Sequence, residues 1–303
     1  PVTSRVLVSG ATGLIGGRLV DSLTRDGIAA RCVSRSTRRS PNGSIEFCLW
    51  DGVQLPVETL RECTAVVHLS GEPVFGGRLT ATRRERILAS RVESTHSIVA
   101  AIESLPADQR PSTLVCASAV GFYGSRGEES LDESAAAGSG FLANVCQLWE
   151  AAALAAESSG VRVVPLRLGI VLAKSGGALP MMALPFRVGL GGRTGPGTQW
   201  VPWIHIDDLV GLIVRTLADD RFSGPVNAVA PNPVRNAQLS TAIAQTLGRP
   251  SWLAVPAFAL RLVLGDLSEE LLGSRLCVPK NALDLGFEFT HTEVETALAA
   301  ELG

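Results

Sequence analysis

The chain predicts an α/β protein: a Rossmann-type doubly wound parallel sheet with a smaller, mostly helical C-terminal lobe. Three observations carry that expectation. The opening residues, Arg5 to Ser34, read as strand, glycine-rich turn, helix and strand. Short β-branched runs then alternate with longer helical stretches as far as Arg167, the pattern of βαβ units joined by right-handed crossovers. From about Lys174 the alternation stops and short helices follow.

Arg5–Ser9 is the first strand, Leu14 to Asp26 has helical periodicity, and Ala30–Ser34 is the second strand. Ile45–Trp50 and Thr64–Leu69 follow as the third and fourth, then an amphipathic helix from Ala81 to Leu105. Ser112–Ser118 is the fifth strand, Gly140–Ser159 a helix, and Arg162–Arg167 the sixth strand. Beyond it come a short helix, Pro180–Val188, the glycine-rich run Gly189–Gly197, and Trp200–Asp208 leading into a helix at Leu209–Ala218. Helices at Ala237–Leu247, Pro256–Leu264 and Thr292–Leu302 complete the lobe. The expected division is a dinucleotide-binding unit at 1–172, to which 200–229 returns, and a substrate-side lobe at 173–199 and 230–303.

The turn Gly10-Ala-Thr-Gly13-Leu-Ile-Gly16 places glycines where a backbone must bend sharply, approach a pyrophosphate and pack helix on strand. The helix opening at Leu14 presents unpaired N–H groups and the positive end of its dipole. Gly10, Thr12, Gly13, Leu14, Ile15 and Gly16 are therefore the expected phosphate cradle. At the end of the second strand an NAD site usually carries a carboxylate. Here no Asp or Glu lies between Asp26 and Glu46, and the strand ends in Ser34-Arg35 with Arg38 and Arg39 beyond. A guanidinium suits a 2′-phosphate, so NADP(H) is the expected cofactor, with Arg35 as its reader. Arg38 and Arg39 read equally as a solvated loop.

With 46% hydrophobic and 18% charged residues and a formal net charge of −2, the composition is that of a folded globular chain. The 25 Arg and 2 Lys are spread out with no basic arm, which argues against nucleic acid as a partner. No apolar run reaches bilayer-spanning length and no leader pattern is seen, so no membrane association and a cytoplasmic setting are expected. Six cysteines without C-x-x-C spacing read as reduced thiols. Four histidines without metal spacing give no expected metal site.

Ser9-Gly-Ala-Thr-Gly-Leu-Ile-Gly16, Ser118-Ala-Val-Gly-Phe-Tyr-Gly124 and Trp203-Ile-His-Ile-Asp-Asp208 together resemble the extended short-chain dehydrogenase/reductases, which include nucleoside-diphosphate-sugar epimerases. The chain is most similar to an atypical epimerase-like branch of poorly defined function. The carriers of that match are Leu69-Ser-Gly-Glu-Pro73, Ser90-Arg91, Trp149-Glu-Ala-Ala152, Pro185-Phe-Arg-Val-Gly-Leu-Gly-Gly192 and Val278-Pro-Lys280. The wider family works with a Tyr and a Lys one helical turn apart, the lysine lowering the tyrosine pKa. This chain lacks that dyad. Its only tyrosine, Tyr123, is followed four residues later by Gly127, and its two lysines are preceded at that spacing by Ile170 and Leu276.

Counting back from Glu150, the resemblance puts the dyad positions at Leu142 and Cys146, keeps the serine as Ser118 and replaces the usual asparagine by Arg91. Ser118, Cys146, Arg91 and Tyr123 are thus the candidate catalytic residues. Cys146 reads as a proton donor or acceptor tuned by Arg91, as a cofactor contact, or as a small buried filler. For Tyr123, packing or substrate stacking is favoured over acid chemistry. Arg167, at the carboxyl end of the sixth strand, is expected to touch substrate or cofactor in preference to a surface ion pair. His205 and Asp207 either close the site or form a buried pair. Leu69, Ser70 and Gly71 are expected along the cofactor ribose and Asp51 near the adenine, with Arg91, Ser118, Arg167 and His205 completing the cofactor contacts. Gly189–Gly197, with Arg193, Trp200 and Trp203, reads as a flap over the pocket or as lobe packing.

The expected function is NADP(H)-dependent oxidoreductase or epimerase-like chemistry on a small-molecule carbonyl or alcohol. The alternative is an NADPH-binding sensor without turnover. A homodimer through the helices at Ala81–Leu105 and Gly140–Ser159 is what the resemblance implies.

Overall fold

In the computed structural model, residues 5–36, 45–75 and 77–303 are described; Arg38 and Arg39 lie outside them. Seven parallel strands make the central sheet: β1 (Arg5–Ser9), β2 (Ala29–Ser34), β3 (Ile45–Leu49), β4 (Cys63–His68), β5 (Thr113–Ala119), β6 (Arg162–Leu168) and β7 (Val226–Ala228). Their order is β7-β6-β5-β4-β1-β2-β3. The chain winds outward in both directions from the β1–β4 junction, and the crevice at that switch point is where such sheets bind ligands.

Successive strand residues face opposite layers, as a period of two requires. Val6 and Val8, with Val67, Val115 and Val164, pack under α1 (Leu14–Arg25) and α5 (Ile206–Ala218). Leu7, Val66, Leu114, Cys116 and Val163 pack under α2 (Ala81–Glu103) and α3 (Phe141–Leu154). Buried on both faces, these strands read as unbroken apolar runs.

A separate core joins α4 (Ala178–Arg187), α6 (Asn236–Thr246) and the last helix, Val294–Leu302. A short strand pair ties it to the sheet. Ile170–Leu172 pairs in parallel with Trp203–His205; here Trp203 faces the lobe core while Ile204 faces the sheet. Segment 200–206 thus places residues in both cores. The glycine-rich run is anchored too, since Gly192–Thr194 pairs with Leu253–Val255. No helix among the described residues is long and apolar enough to cross a membrane.

The boundaries differ from expectation in instructive places. α5 starts at Ile206, not Leu209, because the His205 ring accepts the Asp207 N–H at 3.2 Å and caps the helix. Trp50 falls outside β3 but is buried. β7 and the pair Ser130–Leu131 with Leu276–Cys277 are two- or three-residue strands, too short to leave a periodic signal.

Candidate functional site

β1 ends in a buried hydrogen-bonded relay that sets the glycine turn. Ser9 Oγ lies 2.6 Å from His68 Nδ1, and His68 Nε2 lies 3.0 Å from Ser94 Oγ. Ser94 Oγ donates to the Ser90 carbonyl, so it accepts from Nε2–H, leaving Nδ1 to accept from Ser9. Ser9 Oγ in turn accepts the Leu69 N–H. Burial, reinforced by Arg91, pushes the His68 pKa down to about 3, and the ring is neutral. The ends of β1 and β4 are thereby locked together where the turn begins.

That lock brings Leu69 against Gly10. Gly10 has φ +70, and a Cβ there would meet the Leu69 carbonyl carbon at 2.9 Å. Gly16 is tighter, since its Cβ would stand 2.2 Å from the Gly10 oxygen. Gly13 precedes α1 with no side chain capping the helix and no acidic residue in its first turn. Uncapped N–H groups beside a glycine-rich turn fit a pyrophosphate. Ser34 and Arg35 close β2 beside it, with Arg35 exposed and the Ser34 hydroxyl turned back to the Ser36 carbonyl. Asp51 is exposed, and one of its oxygens accepts the Val53 N–H at 2.9 Å.

The candidate chemical residues meet at the ends of β4 and β5. Ser118, 2% exposed, donates to Glu150 Oε1 at 2.6 Å. Glu150 is also held by Arg167, Nε to Oε1 and Nη2 to Oε2, both at 2.9 Å, a two-pronged buried ion pair. Leu142 and Cys146, one helical turn apart on α3, both face the turn after β5; a Cβ on Gly121 would lie 3.6 Å from Leu142 Cβ and 3.9 Å from Cys146 Sγ. Burial first, and then Glu150, push the Cys146 thiol up to about 11 against the weaker pulls of Ser118 and Arg91. It is a neutral thiol at ordinary pH. Arg91, on α2, lies flat against Gly71, with its guanidinium carbon 5.1 Å from the Trp149 ring centroid.

Three expected site residues turn inward instead. Arg167 is engaged by protein groups: besides Glu150, its Nη1 donates to Tyr123 Oη and the Glu133 carbonyl, and Phe122 lies 3.6 Å beneath the guanidinium. Tyr123 is fully buried; its hydroxyl donates to Asn227 Oδ1 at 2.7 Å, and burial raises its pKa. His205 is 1% exposed, stacked on His291 at 3.7 Å and 3.1 Å from Glu301 of the last helix. It joins the segment entering α5 to the last helix.

Glu150 is the residue that sequence reasoning used only as a marker. Its signal was available: a carboxylate beside Trp149 and ahead of Ala152 and Ala153, positions that are all buried, demands a cation partner. Glu133, which accepts the backbone N–H groups of Asn227 and Asn281, and Asn227 itself gave no such signal. Among the described residues His205, Asp207 and His291 are close enough to hold a metal ion. However, the His205 ring already serves as the α5 cap and Asp207 pairs with Arg18.

Comparison with known proteins agrees with this geometry. The model of the NAD-dependent epimerase/dehydratase family matches residues 6–228, and that of a domain of unknown function matches 255–301. The Arabidopsis thaliana chloroplastic homolog of epimerase family protein SDR39U1 is 40% identical over 302 residues, 97% of this chain and 86% of that protein. Bacillus subtilis epimerase family protein YfhF is 35% identical over 97% of this chain and 96% of its own. The crystal structure of human SDR39U1 with NADPH superposes with a TM-score of 0.88 at 34% identity, covering 98% of each chain. With residues 6–228 matched by the family model and nearly its whole length by these relatives, the chain belongs to the NAD-dependent epimerase/dehydratase family of enzymes.

Proposed function

We propose that the protein is an NADP(H)-dependent oxidoreductase or epimerase-like enzyme acting on a small carbonyl or alcohol compound without a Tyr–Lys dyad. The observation that carries the cofactor choice is the end of β2, where Arg35 stands and no carboxylate is present. The human relative whose structure contains NADPH supports the same choice.

The N–H groups at the start of α1 would hold the pyrophosphate, Arg35 the 2′-phosphate, and Leu69 to Gly71 the ribose edge. The bound nicotinamide would supply hydride chemistry. The protein's own residues orient the substrate. Because Ser118 spends its proton on Glu150, its oxygen offers lone pairs and accepts a hydrogen bond from a substrate hydroxyl. Cys146, a neutral thiol beside it, is the proton donor in place of the missing tyrosine.

Fluorescence titration tests the cofactor assignment. NADPH is expected to bind at least tenfold more tightly than NADH, on the order of one charge-assisted contact, and Arg35→Ala should erase most of the difference. Equal affinities in the parent would refute it. A panel of carbonyl compounds followed by NADPH oxidation, with Ser118→Ala alongside, then tests turnover.

A further inference from the structure

Arg91 is largely buried, yet among the described residues no carboxylate pairs with it. Every hydrogen bond it makes uses one nitrogen: Nη1 donates to the Glu72 carbonyl at 3.0 Å, the Ile87 carbonyl at 3.1 Å and Ser90 Oγ at 3.5 Å. The Glu72 carboxylate turns to Arg86, 3.8 Å away. Among the described residues Nε and Nη2 have no acceptor, and neither is sealed from solvent. These two nitrogens form the edge of a guanidinium that carries two parallel N–H bonds, the edge that matches a carboxylate. Withdrawing a cation from water is costly; the hydrogen bonds that offset the cost are all on the Nη1 side, with the Glu72 carboxylate acting only as a more distant charge.

The orientation is fixed as well as open. A Cβ on Gly71 would lie 3.1 Å from Arg91 Cζ and 3.3 Å from Nη2, so any larger residue there would press the guanidinium out of its place by a few tenths of an ångström. Trp149 confines the group from the α3 side. The same α3 carries Cys146 and Glu150, the latter holding Ser118. Arg91 also stands near enough to Cys146 for the two groups to act on one another electrostatically, which sets the guanidinium beside the candidate chemical residues, while the cofactor phosphates have their own cradle at α1.

We propose that Arg91 anchors a carboxylate of the substrate, so that the site takes small carbonyl or alcohol compounds bearing a carboxylate close to the reacting carbon. The substrate class rests on the nicotinamide-dependent reading above; the anion site itself does not.

Oxamate, a carboxylate beside a carbonyl, and oxamide, its uncharged analogue of like shape, are suitable probes in isothermal titration calorimetry. Oxamate is expected to bind the parent at least tenfold more tightly than oxamide, with NADPH present or absent. Arg91→Gln should weaken oxamate on the order of 10- to 100-fold with NADPH affinity kept, and Arg91→Lys, which keeps charge but loses the fork, should fall between. Equal binding of the two probes, or no oxamate binding, by parent that binds NADPH overturns the anion site. So does an Arg91→Gln variant that loses NADPH by the same factor as oxamate, since the guanidinium then serves the cofactor. Should Arg91→Gln not fold, the oxamate–oxamide contrast on the parent and Arg91→Lys still decide. Parent that fails to bind NADPH refutes the cofactor reading alone, because the comparison in nucleotide-free protein still decides Arg91.

Discussion

His68 shows how much a single buried side chain governs here. Its ring is held neutral between Ser9 and Ser94, with its pKa depressed from 6.5 to about 3. The unfolded chain takes up a proton near 6.5 and the native ring does not. Stability contributed at this site is thus complete above about pH 6.5 and declines as pH falls toward 3, by about 1.4 kcal/mol per pH unit. Urea unfolding at stepped pH is expected to show an acid slope about one proton shallower in His68→Gln than in the parent; an unchanged slope would show that this ring is not the titrating group. The sequence gives no sign of this, since His68 looks like the polar end of an apolar strand. Arg167 teaches the converse. Its place at a strand's carboxyl end suggested a ligand contact, but a helix running back over the sheet set Glu150 beneath it. A pair 17 residues apart becomes visible only once the crossover is folded. Ser118 was found by resemblance; what it does with its proton was not legible until its partner was in view.

At the scale of elements, strand and helix existence followed from periodicity, and the ends depended on side chains that periodicity ignores. α2 begins where expected because Thr80 accepts the Arg83 N–H, the ordinary cap. α5 begins early because a histidine takes that role. The glycine turn is the element whose residues were most legible, since each glycine answers a steric demand. Gly16 and Gly17 make a built-in comparison. A methyl at Gly16 would stand 2.2 Å from the Gly10 oxygen and 2.8 Å from Ala11 Cα, whereas at Gly17 the nearest atom is 3.7 Å away. Gly16→Ala is expected to open the turn, costing about 1–3 kcal/mol, and to weaken NADPH at least tenfold. Gly17→Ala should leave binding unchanged and gain about 0.5–1 kcal/mol from helix propensity. Thermal melts with nucleotide titration of both variants check this, and equal behaviour of the two would remove the close approach as the reason for glycine at Gly16.

The molecule as a whole is two cores sewn together, and the seams explain both what the sequence showed and what it hid. The alternation breaks near Lys174, and a separate apolar cluster runs from Leu172 onward. That break did not show that the chain would recross at 200–206 with alternate residues facing each core, because a three-residue strand such as Trp203–His205 has no pattern of its own. The crossings are reinforced by polar clamps. Glu301 of the last helix accepts the Lys174 N–H at 2.6 Å and reaches His205, and the Asp208 carboxylate accepts the N–H groups of Thr290 and His291. Cores joined by shared strands and buried clamps lose their contacts together, so unfolding should be a single cooperative transition. Trp50 and Trp149 report from the sheet side and Trp203 from the lobe, which makes intrinsic fluorescence and far-UV circular dichroism a fair pair of probes. In urea both should give one midpoint. Leu298→Ala, which empties a fully buried site in the lobe core, should lower both midpoints together, by about 2–5 kcal/mol of stability. A fluorescence transition that moves alone, with the backbone signal left behind, would mean that the lobe unfolds by itself and that the seams are weaker than their hydrogen bonds suggest.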